Sequence, residues 1–180
     1  MTSALWVFGY GSLLWNPGFP VAETRIARLE GWHRSFCMTS IHHRGTEDDP
    51  GLVLALDAAK DACCDGLALR AEPGTEEATL AYLRERELIS SAYIETRLPL
   101  RFRDGTVQED VLTYVINRDH IQYCQHPLER QAQIIAGAVG GRGPNDEYLY
   151  NTAAQLTELG IGDADLEALV DMVRRLNAPA

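Results

Sequence analysis

The sequence lacks the features of a secreted or membrane-spanning protein. No apolar run approaches the roughly 20 residues that a membrane helix needs. Residues 1–6 have neither the basic start nor the long apolar stretch of a signal peptide. The four cysteines form no Cys-x-x-Cys pair, and we expect reduced thiols at Cys37, Cys63, Cys64 and Cys124. These absences predict a cytoplasmic protein that has no membrane partner.

Basic charge is also scarce. The chain has 16 Lys and Arg residues against 26 Asp and Glu residues, which gives a net charge of −10. Nucleic acids and anionic membranes bind to basic surfaces, so we expect neither as a partner. A small anionic substrate needs only one Arg or a local group of N–H donors, so the charge balance is compatible with one. The sequence leaves the oligomeric state unknown.

The length and the apolar content suit one domain over residues 1–180. Hydrophobic residues make up 46% and charged residues 23%, which is ordinary for a globular protein with a real core. No repeat, low-complexity tract or long flexible linker divides the chain.

The residue pattern predicts strands early in the chain and helices late in it. We predict strands over 5–8, 23–29, 32–41, 51–56 and 65–70, then a hairpin of 93–103 and 109–116 joined through Asp104-Gly105. We predict helices over 74–89, 127–139, 145–159 and 163–177, with Asp163 as an N-cap. This order favours an α+β fold, a small mixed sheet or barrel covered by helices, over a doubly wound parallel sheet.

A glycine-rich turn follows the first predicted strand, in the segment Val7-Phe8-Gly9-Tyr10-Gly11-Ser12-Leu13. Glycine permits positive φ angles and close approach of a ligand, and consecutive N–H groups with the Ser12 hydroxyl can bind an anion. The segment is either a cradle for a carboxylate or oxyanion, or a tight turn that binds nothing. It lacks the Gly-Lys of a phosphate-binding P-loop and the third glycine of a dinucleotide-binding loop.

A glutamate falls in the apolar stripe of the helix predicted over 74–89. At about 100° per residue, Glu87 lies angularly between Leu80 and Leu83, whereas Glu85 and Arg86 point elsewhere. Apolar surroundings destabilise a carboxylate, so we expect the pKa of Glu87 to rise toward the range that proton transfer requires. Alternatively, Glu87 pairs with an Arg or accepts a hydrogen bond from a buried N–H.

Two further positions have both a functional and a structural interpretation. Arg44 either binds a substrate carboxylate or belongs to a polar turn, and Tyr148 either donates a hydrogen bond in a pocket or packs in the core. The adjacent His42-His43 pair has no clustered further ligands, so we predict no metal.

Four segments together resemble the ChaC-type γ-glutamylcyclotransferases, over most of the chain. Residues 7–15 resemble the family's opening substrate loop, and His43-Arg44-Gly45 resembles a second family segment. Residues 81–87 resemble the helix that ends in the catalytic glutamate, and residues 141–149 resemble a C-terminal family segment. After Glu87 the chain has Ser90-Ser91-Ala92-Tyr93, where family members often have Gly-Gly-Tyr or similar.

The resemblance implies a compact mixed barrel with helices and an enzyme that needs no cofactor. Its substrate would be glutathione, cleaved to 5-oxoproline and cysteinylglycine, with Glu87 as general acid/base and the loop of Val7 to Leu13 binding the substrate. Two alternatives keep the fold: a cyclotransferase acting on γ-glutamyl amino acids or γ-glutamylamines, and an inactive ligand-binding module.

Overall fold

The computed structural model describes residues 3–179. Its strands are β1 (Trp6–Gly9), β2 (Val21–Ser40), β3 (Gly51–Ala71), β4 (Tyr93–Phe102), β5 (Val107–Ile116), β6 (Val139–Gly140) and β7 (Gly143–Pro144). Its α-helices are α1 (Glu76–Glu87), α2 (Leu128–Gly137), α3 (Asn145–Glu158) and α4 (Ala164–Asn177), and a short 3₁₀ helix spans Ser12–Leu14.

The described chain divides into two compact units. The first comprises the described residues up to Ser35 together with Ala55–His120, and the second comprises Phe36–Leu54 and the described residues from Ile121 onward. Strands β2 and β3 each contribute residues to both units. The single domain over residues 1–180 stays a prediction.

The first unit contains a closed barrel with the strand order β1-β3-β2-β4-β5. β1 runs antiparallel to β3, with Trp6 opposite Arg70, and parallel to β5, with Val7 opposite Leu112. The largest fully buried side chains of the first unit are Phe8, Leu29, Leu56, Leu69, Leu83, Leu100 and Leu112. The mixed pairing within one barrel, together with the four α-helices, confirms the predicted α+β fold.

The β4–β5 hairpin forms where the Asp104-Gly105 signal predicts it. Gly105 has φ 89°, which glycine adopts without a Cβ clash, and Phe102 N–H donates to the Thr106 carbonyl at 2.8 Å. The predicted turn chemistry therefore sets the direction of both strands.

Two predicted strand breaks are wrong. The strands predicted over 23–29 and 32–41 are one strand, β2, and those predicted over 51–56 and 65–70 are one strand, β3. Gly31 has φ 84° and Asp61 has φ 67° inside these strands. A single residue with positive φ bends a strand at a bulge without ending it, so the turn-like residues there do not separate two elements.

The second unit contains the helices predicted late in the chain. Helices α2, α3 and α4 pack on one another and bury Ile135, Leu149, Leu169 and Val173. Asp163 caps α4 as predicted, since its carboxylate accepts from Leu166 N–H at 3.1 Å. The four cysteines are free thiols. Within residues 3–179 no helix has both the length and the apolar character to cross a membrane.

Candidate active site

The predicted substrate segment, Val7 to Leu13, begins in β1 and ends in the short 3₁₀ helix. Val7 and Phe8 are core side chains, with exposed fractions of 0% and 1%. Leu14 N–H donates to the Gly11 carbonyl at 2.9 Å, which closes the 3₁₀ turn. The N–H groups of Ser12 and Leu13 stand at the start of this turn, where no preceding turn supplies acceptors.

The glycines of this loop do not use the left-handed backbone that glycine permits. Gly9 has no positive φ, and Gly11 has φ −135°. A Cβ on Gly9 would lie 3.1 Å from the Leu13 Cβ, so Gly9 gives the loop room to fold back on the strand. Close packing, and not a positive φ, is the physical reason for Gly9.

Tyr10 is anchored in the barrel. Its hydroxyl donates to the Tyr114 carbonyl at 2.6 Å, and its ring contacts Phe8 with a centroid separation of 6.2 Å. This buried hydrogen bond fixes the loop to β5.

Helix α1 ends at Glu87. Leu88 N–H donates to the Arg84 carbonyl at 2.9 Å and closes the last turn. Leu83 is fully buried and Leu80 is half-buried, and the Glu87 side chain is 15% exposed. The carboxylate therefore lies partly buried at the end of the helix, with access to solvent.

Arg86 is buried and pairs with Glu87, and the sequence predicted the possible pairing with an Arg but not the burial. Its Nη1 donates to the carbonyls of Asn16 and Pro17 at 2.7 and 3.2 Å, and its Nη2 donates to the Ser12 hydroxyl at 2.8 Å. The helical wheel placed Arg86 away from the core. The hydrogen-bond needs of a loop that runs past the helix end are not visible in the apolar periodicity.

Arg86 brings the loop and Glu87 together. Its Nε lies 3.4 Å from the Glu87 Oε1, while its other nitrogens hold the loop. One buried guanidinium therefore contacts both parts of the predicted site. The role of each residue in catalysis or binding stays a prediction.

A second polar network lies on the β4–β5 hairpin. The register places Glu95 opposite Tyr114, and the Tyr114 hydroxyl donates to Glu95 Oε1 at 3.0 Å. Arg84 on α1 donates from Nε to Oε1 at 3.0 Å and from Nη2 to Oε2 at 2.9 Å of the same carboxylate. The network joins the hairpin to the helix turn that precedes Glu87.

Hydrogen bonds and burial shift the pKa values of Glu95 and Tyr114. The hydrogen bond from Arg84, assisted by the one from Tyr114, holds the pKa of Glu95 below its ordinary value. Burial, followed by the Glu95 carboxylate, raises the pKa of Tyr114, and the charge of Glu87 adds to that rise. Tyr114 is therefore a protonated donor at neutral pH, within electrostatic reach of Glu87.

Arg44 is a buried residue of the second unit. Its Nη1 donates to the Pro144 carbonyl at 2.9 Å and lies 3.8 Å from Glu147 Oε1. Its guanidinium sits 5.7 Å from the centre of the Tyr148 ring, and burial lowers the pKa of Arg44.

Tyr148 is a core residue of the same unit. Its hydroxyl accepts from Leu54 N–H at 3.2 Å, and its ring meets Phe36 edge-on at 6.0 Å. Thus Arg44 and Tyr148 come together in the second unit, and Glu87 and the loop come together in the first. Substrate binding by Arg44 and Tyr148 stays a prediction.

Solved structures with this architecture define the class of fold. A yeast γ-glutamyl cyclotransferase specific to glutathione superimposes with a TM-score of 0.88 at 22% identity, over 98% of each chain. A second solved structure, a γ-glutamyl cyclotransferase, gives a TM-score of 0.61 at 15% identity, over 93% of this chain and 86% of that one. The fold is that of the γ-glutamyl cyclotransferases.

The chain belongs to the ChaC-like protein family, whose model matches residues 5–176. A relative from Escherichia coli strain K12, glutathione-specific gamma-glutamylcyclotransferase, is 35% identical over 97% of this chain and 74% of its own length. Gamma-glutamylcyclotransferase 2-3 of Arabidopsis thaliana is 34% identical over 96% of this chain and 90% of its own length. A Homo sapiens relative, glutathione-specific gamma-glutamylcyclotransferase 1, is 33% identical over 94% of this chain and 78% of its own length.

Proposed function

We propose that this protein cleaves glutathione by cyclising its γ-glutamyl group to 5-oxoproline and releasing cysteinylglycine, with Glu87 as general acid and base. Family membership supports the reaction, as do relatives named glutathione-specific gamma-glutamylcyclotransferase at 33–35% identity. The observation that carries the assignment of the site is the Arg86 side chain, which contacts the Ser12–Pro17 loop and Glu87 at once.

The attacking nitrogen loses two protons in this reaction, because an ammonium group becomes the single N–H of the lactam ring. The α-amine of the γ-glutamyl group is an ammonium ion at neutral pH and cannot attack the γ-carbonyl. The Glu87 carboxylate takes one proton, and the free amine then adds to the γ-carbon and closes a five-membered ring. As the bond to the cysteinyl nitrogen breaks, Glu87 returns this proton to the leaving amine, and the second proton of the ring nitrogen passes to solvent.

The protein has to hold the substrate in the reactive conformation, because nucleophile and carbonyl belong to the same molecule. A loop whose position is fixed by Arg86 and by Tyr10 supplies a rigid wall for this purpose. We propose that the N–H groups of Gly11, Ser12 and Leu13 bind either the substrate carboxylate or the oxyanion that forms on the γ-carbonyl.

The Glu87→Gln variant tests the catalytic role. Gln nearly matches Glu in shape but cannot carry the proton, so we expect the rate of 5-oxoproline release from glutathione to fall by about 10²-fold or more. Glu85→Gln is the matched control, because Glu85 is an exposed carboxylate on the same helix and should leave the rate unchanged. Near-normal turnover by Glu87→Gln would refute the role of Glu87 and leave the reaction standing.

A substrate panel separates the proposed reaction from its two alternatives. Glutathione, a γ-glutamyl amino acid and a γ-glutamylamine are compared by 5-oxoproline release at equal concentration. Preference for either of the last two would replace glutathione as the substrate, and binding of all three without product would favour an inactive module.

A cytoplasmic location is part of the proposal, and cell fractionation checks it.

A further inference from the structure

Two arginines oppose each other across neighbouring strands of the barrel. The antiparallel register of β2 and β4 pairs Arg28 directly with Arg101. Like charges in directly opposed positions destabilise a sheet, and here they occur in a chain with a net charge of −10. An anion bound beside the pair would remove that repulsion.

One of the two arginines has a carboxylate partner. Arg28 forms a bidentate ion pair with Asp65. Its Nε donates to Oδ1 at 2.8 Å, and its Nη2 donates to Oδ2 at 3.1 Å. This pair fixes the direction of the Arg28 guanidinium and uses both oxygens of Asp65.

The other arginine and its neighbour have no such partner. Arg101 and Arg103 are exposed, and their side chains make no hydrogen bond or ion pair with any residue between positions 3 and 179. The nearby Asp104 is already engaged, by Arg25 at 2.9 Å and by the Thr106 hydroxyl at 2.6 Å. The two guanidinium groups are therefore open to an outside ligand.

These side chains line one cleft of about 300 Å³, together with Asp65, Ile26, Ala27 and Phe102. Three guanidinium groups and one carboxylate leave the cleft with a charge of +2. The apolar wall raises the strength of charge interactions relative to open water. The cleft is thus a local positive site on an acidic protein.

We propose that the cleft of Arg28, Arg101 and Arg103 binds a small phosphorylated molecule, whose phosphate is held by Arg101 and Arg103. Planar guanidinium groups match the oxygens of phosphate in pairs, and a phosphate monoester carries about −2 at pH 7, which balances the cleft. The volume suits a small metabolite, at the lower end of ligand-pocket sizes. The proposal is independent of the reaction at Glu87, and its test measures binding alone.

The test is a titration of the 20.0 kDa protein with inorganic phosphate, followed by amide NMR at constant ionic strength in a phosphate-free buffer. We expect saturable shifts at residues 26–28 and 101–103. In Arg101→Gln and Arg103→Gln we expect the dissociation constant to rise about tenfold, as when one charge-assisted hydrogen bond is lost. Arg97→Gln is the matched control, because it removes the same charge from β4 outside the cleft and should leave the affinity unchanged.

Three results would overturn the proposal. The first is a set of shifts that do not saturate, and the second is an equal loss of affinity in Arg97→Gln, which would make the effect one of net charge alone. The third is equal affinity for succinate, a dicarboxylate, which would remove the preference for phosphate. A thermal melt of each variant checks that the substitutions at exposed positions leave the fold intact.

Discussion

Arg86 is a buried cation whose guanidinium contacts the Ser12–Pro17 loop, the Tyr82 hydroxyl and the Glu87 carboxylate. Lys keeps the charge but loses the planar set of donors, so Arg86→Lys cannot reach Ser12, Asn16 and Pro17 together. We expect a loss of about 2–4 kcal/mol in the free energy of unfolding, from hydrogen bonds to a charged group that are left unmade. We also expect a lower kcat/KM for glutathione.

Urea unfolding and 5-oxoproline release measure these two effects. Arg84→Lys is the control, because Arg84 lies on the same helix with half of its side chain exposed, and it should cost less than about 1 kcal/mol. If Arg86→Lys unfolds at the wild-type urea concentration, Arg86 does not hold the loop.

The contacts of Glu95 determine how the free energy of unfolding depends on pH. Its pKa in the folded protein lies below the ordinary value because Arg84 and Tyr114 donate to the carboxylate. Its contribution to stability is therefore fully present above the unfolded-state pKa and is lost as pH falls through the lowered folded-state pKa. We expect Glu95→Gln to cost about 1 kcal/mol at pH 7 and nothing once the pH is below that folded-state pKa.

Urea unfolding of wild type and Glu95→Gln from pH 7 to pH 3 measures this difference. Glu109→Gln on β5 is an exposed control in the same hairpin and should give a small, nearly constant difference. A Glu95 effect that persists undiminished at pH 3 would contradict the ionic origin.

At this scale the sequence predicted the position of Glu87 better than its surroundings. Apolar periodicity placed Glu87 beside Leu83, and the helix does extend to Glu87. Periodicity could not reveal Arg86, because a buried guanidinium is stabilised by backbone carbonyls that come from a loop 70 residues away. Such partners depend on tertiary structure, which a helical wheel does not contain.

At the scale of elements, two glycine-bearing segments of the second unit meet backbone to backbone. A Cβ on Gly140 would lie 2.4 Å from Gly45 N and 2.5 Å from Arg44 N. Neither atom can move without shifting the chain that carries Arg44. We expect Gly140→Ala to lose about 3 kcal/mol or more of folding stability, or to prevent folding, because the added methyl overpacks a rigid contact.

Gly137 supplies the comparison, three residues earlier at the end of α2. A Cβ there meets nothing within 4 Å, and Gly137 has no positive φ. We expect Gly137→Ala to be neutral or to gain up to about 1 kcal/mol, since Ala restricts the unfolded chain. Urea midpoints and soluble yields measure both variants, and equal effects of the two would show that the close contact at Gly140 is relaxed in solution.

The hairpin shows why pairings are harder to predict than elements. Counting back from the Asp104-Gly105 turn would place Glu95 opposite Thr113. An irregularity between Leu98 and Leu100 shifts the register by one residue, so the partner is Tyr114. A bulge inserts an unpaired residue and exchanges the faces of all residues beyond it. The helices carried no such risk, because caps and apolar spacing define them locally, as at Asp163.

At the scale of the whole molecule, the order of strands and helices along the chain predicted the α+β class, but nothing predicted the division into two compact units. Two of the three divisions, after Ser35 and after Leu54, fall in the interior of β2 and β3, and the third falls after His120. Linkers are recognised by their flexible composition, and a boundary inside a strand has none. The residues around Ser35 and Leu54 have the composition of an ordinary strand, so the sequence does not mark these boundaries.

The net charge of −10 predicts how the protein responds to salt. At pH 7 the excess carboxylates repel one another more strongly in the folded state than in the expanded unfolded state. Salt also weakens ion pairs such as Arg25–Asp104 and Arg84–Glu95, but exposed pairs contribute only about 0–1 kcal/mol each. We therefore expect the melting temperature to rise between low salt and about 0.3 M NaCl, where the Debye length falls to well under 10 Å.

The control is the same salt series near the isoelectric point, where the sequence pI is about 4.9. With almost no net charge left to screen, NaCl should change the melting temperature little there, or lower it slightly by weakening ion pairs. The buffers contain no phosphate, so that binding in the cleft of Arg28, Arg101 and Arg103 does not add to the effect. A melting temperature that falls with NaCl at pH 7 would show that ion pairs outweigh the repulsion among carboxylates.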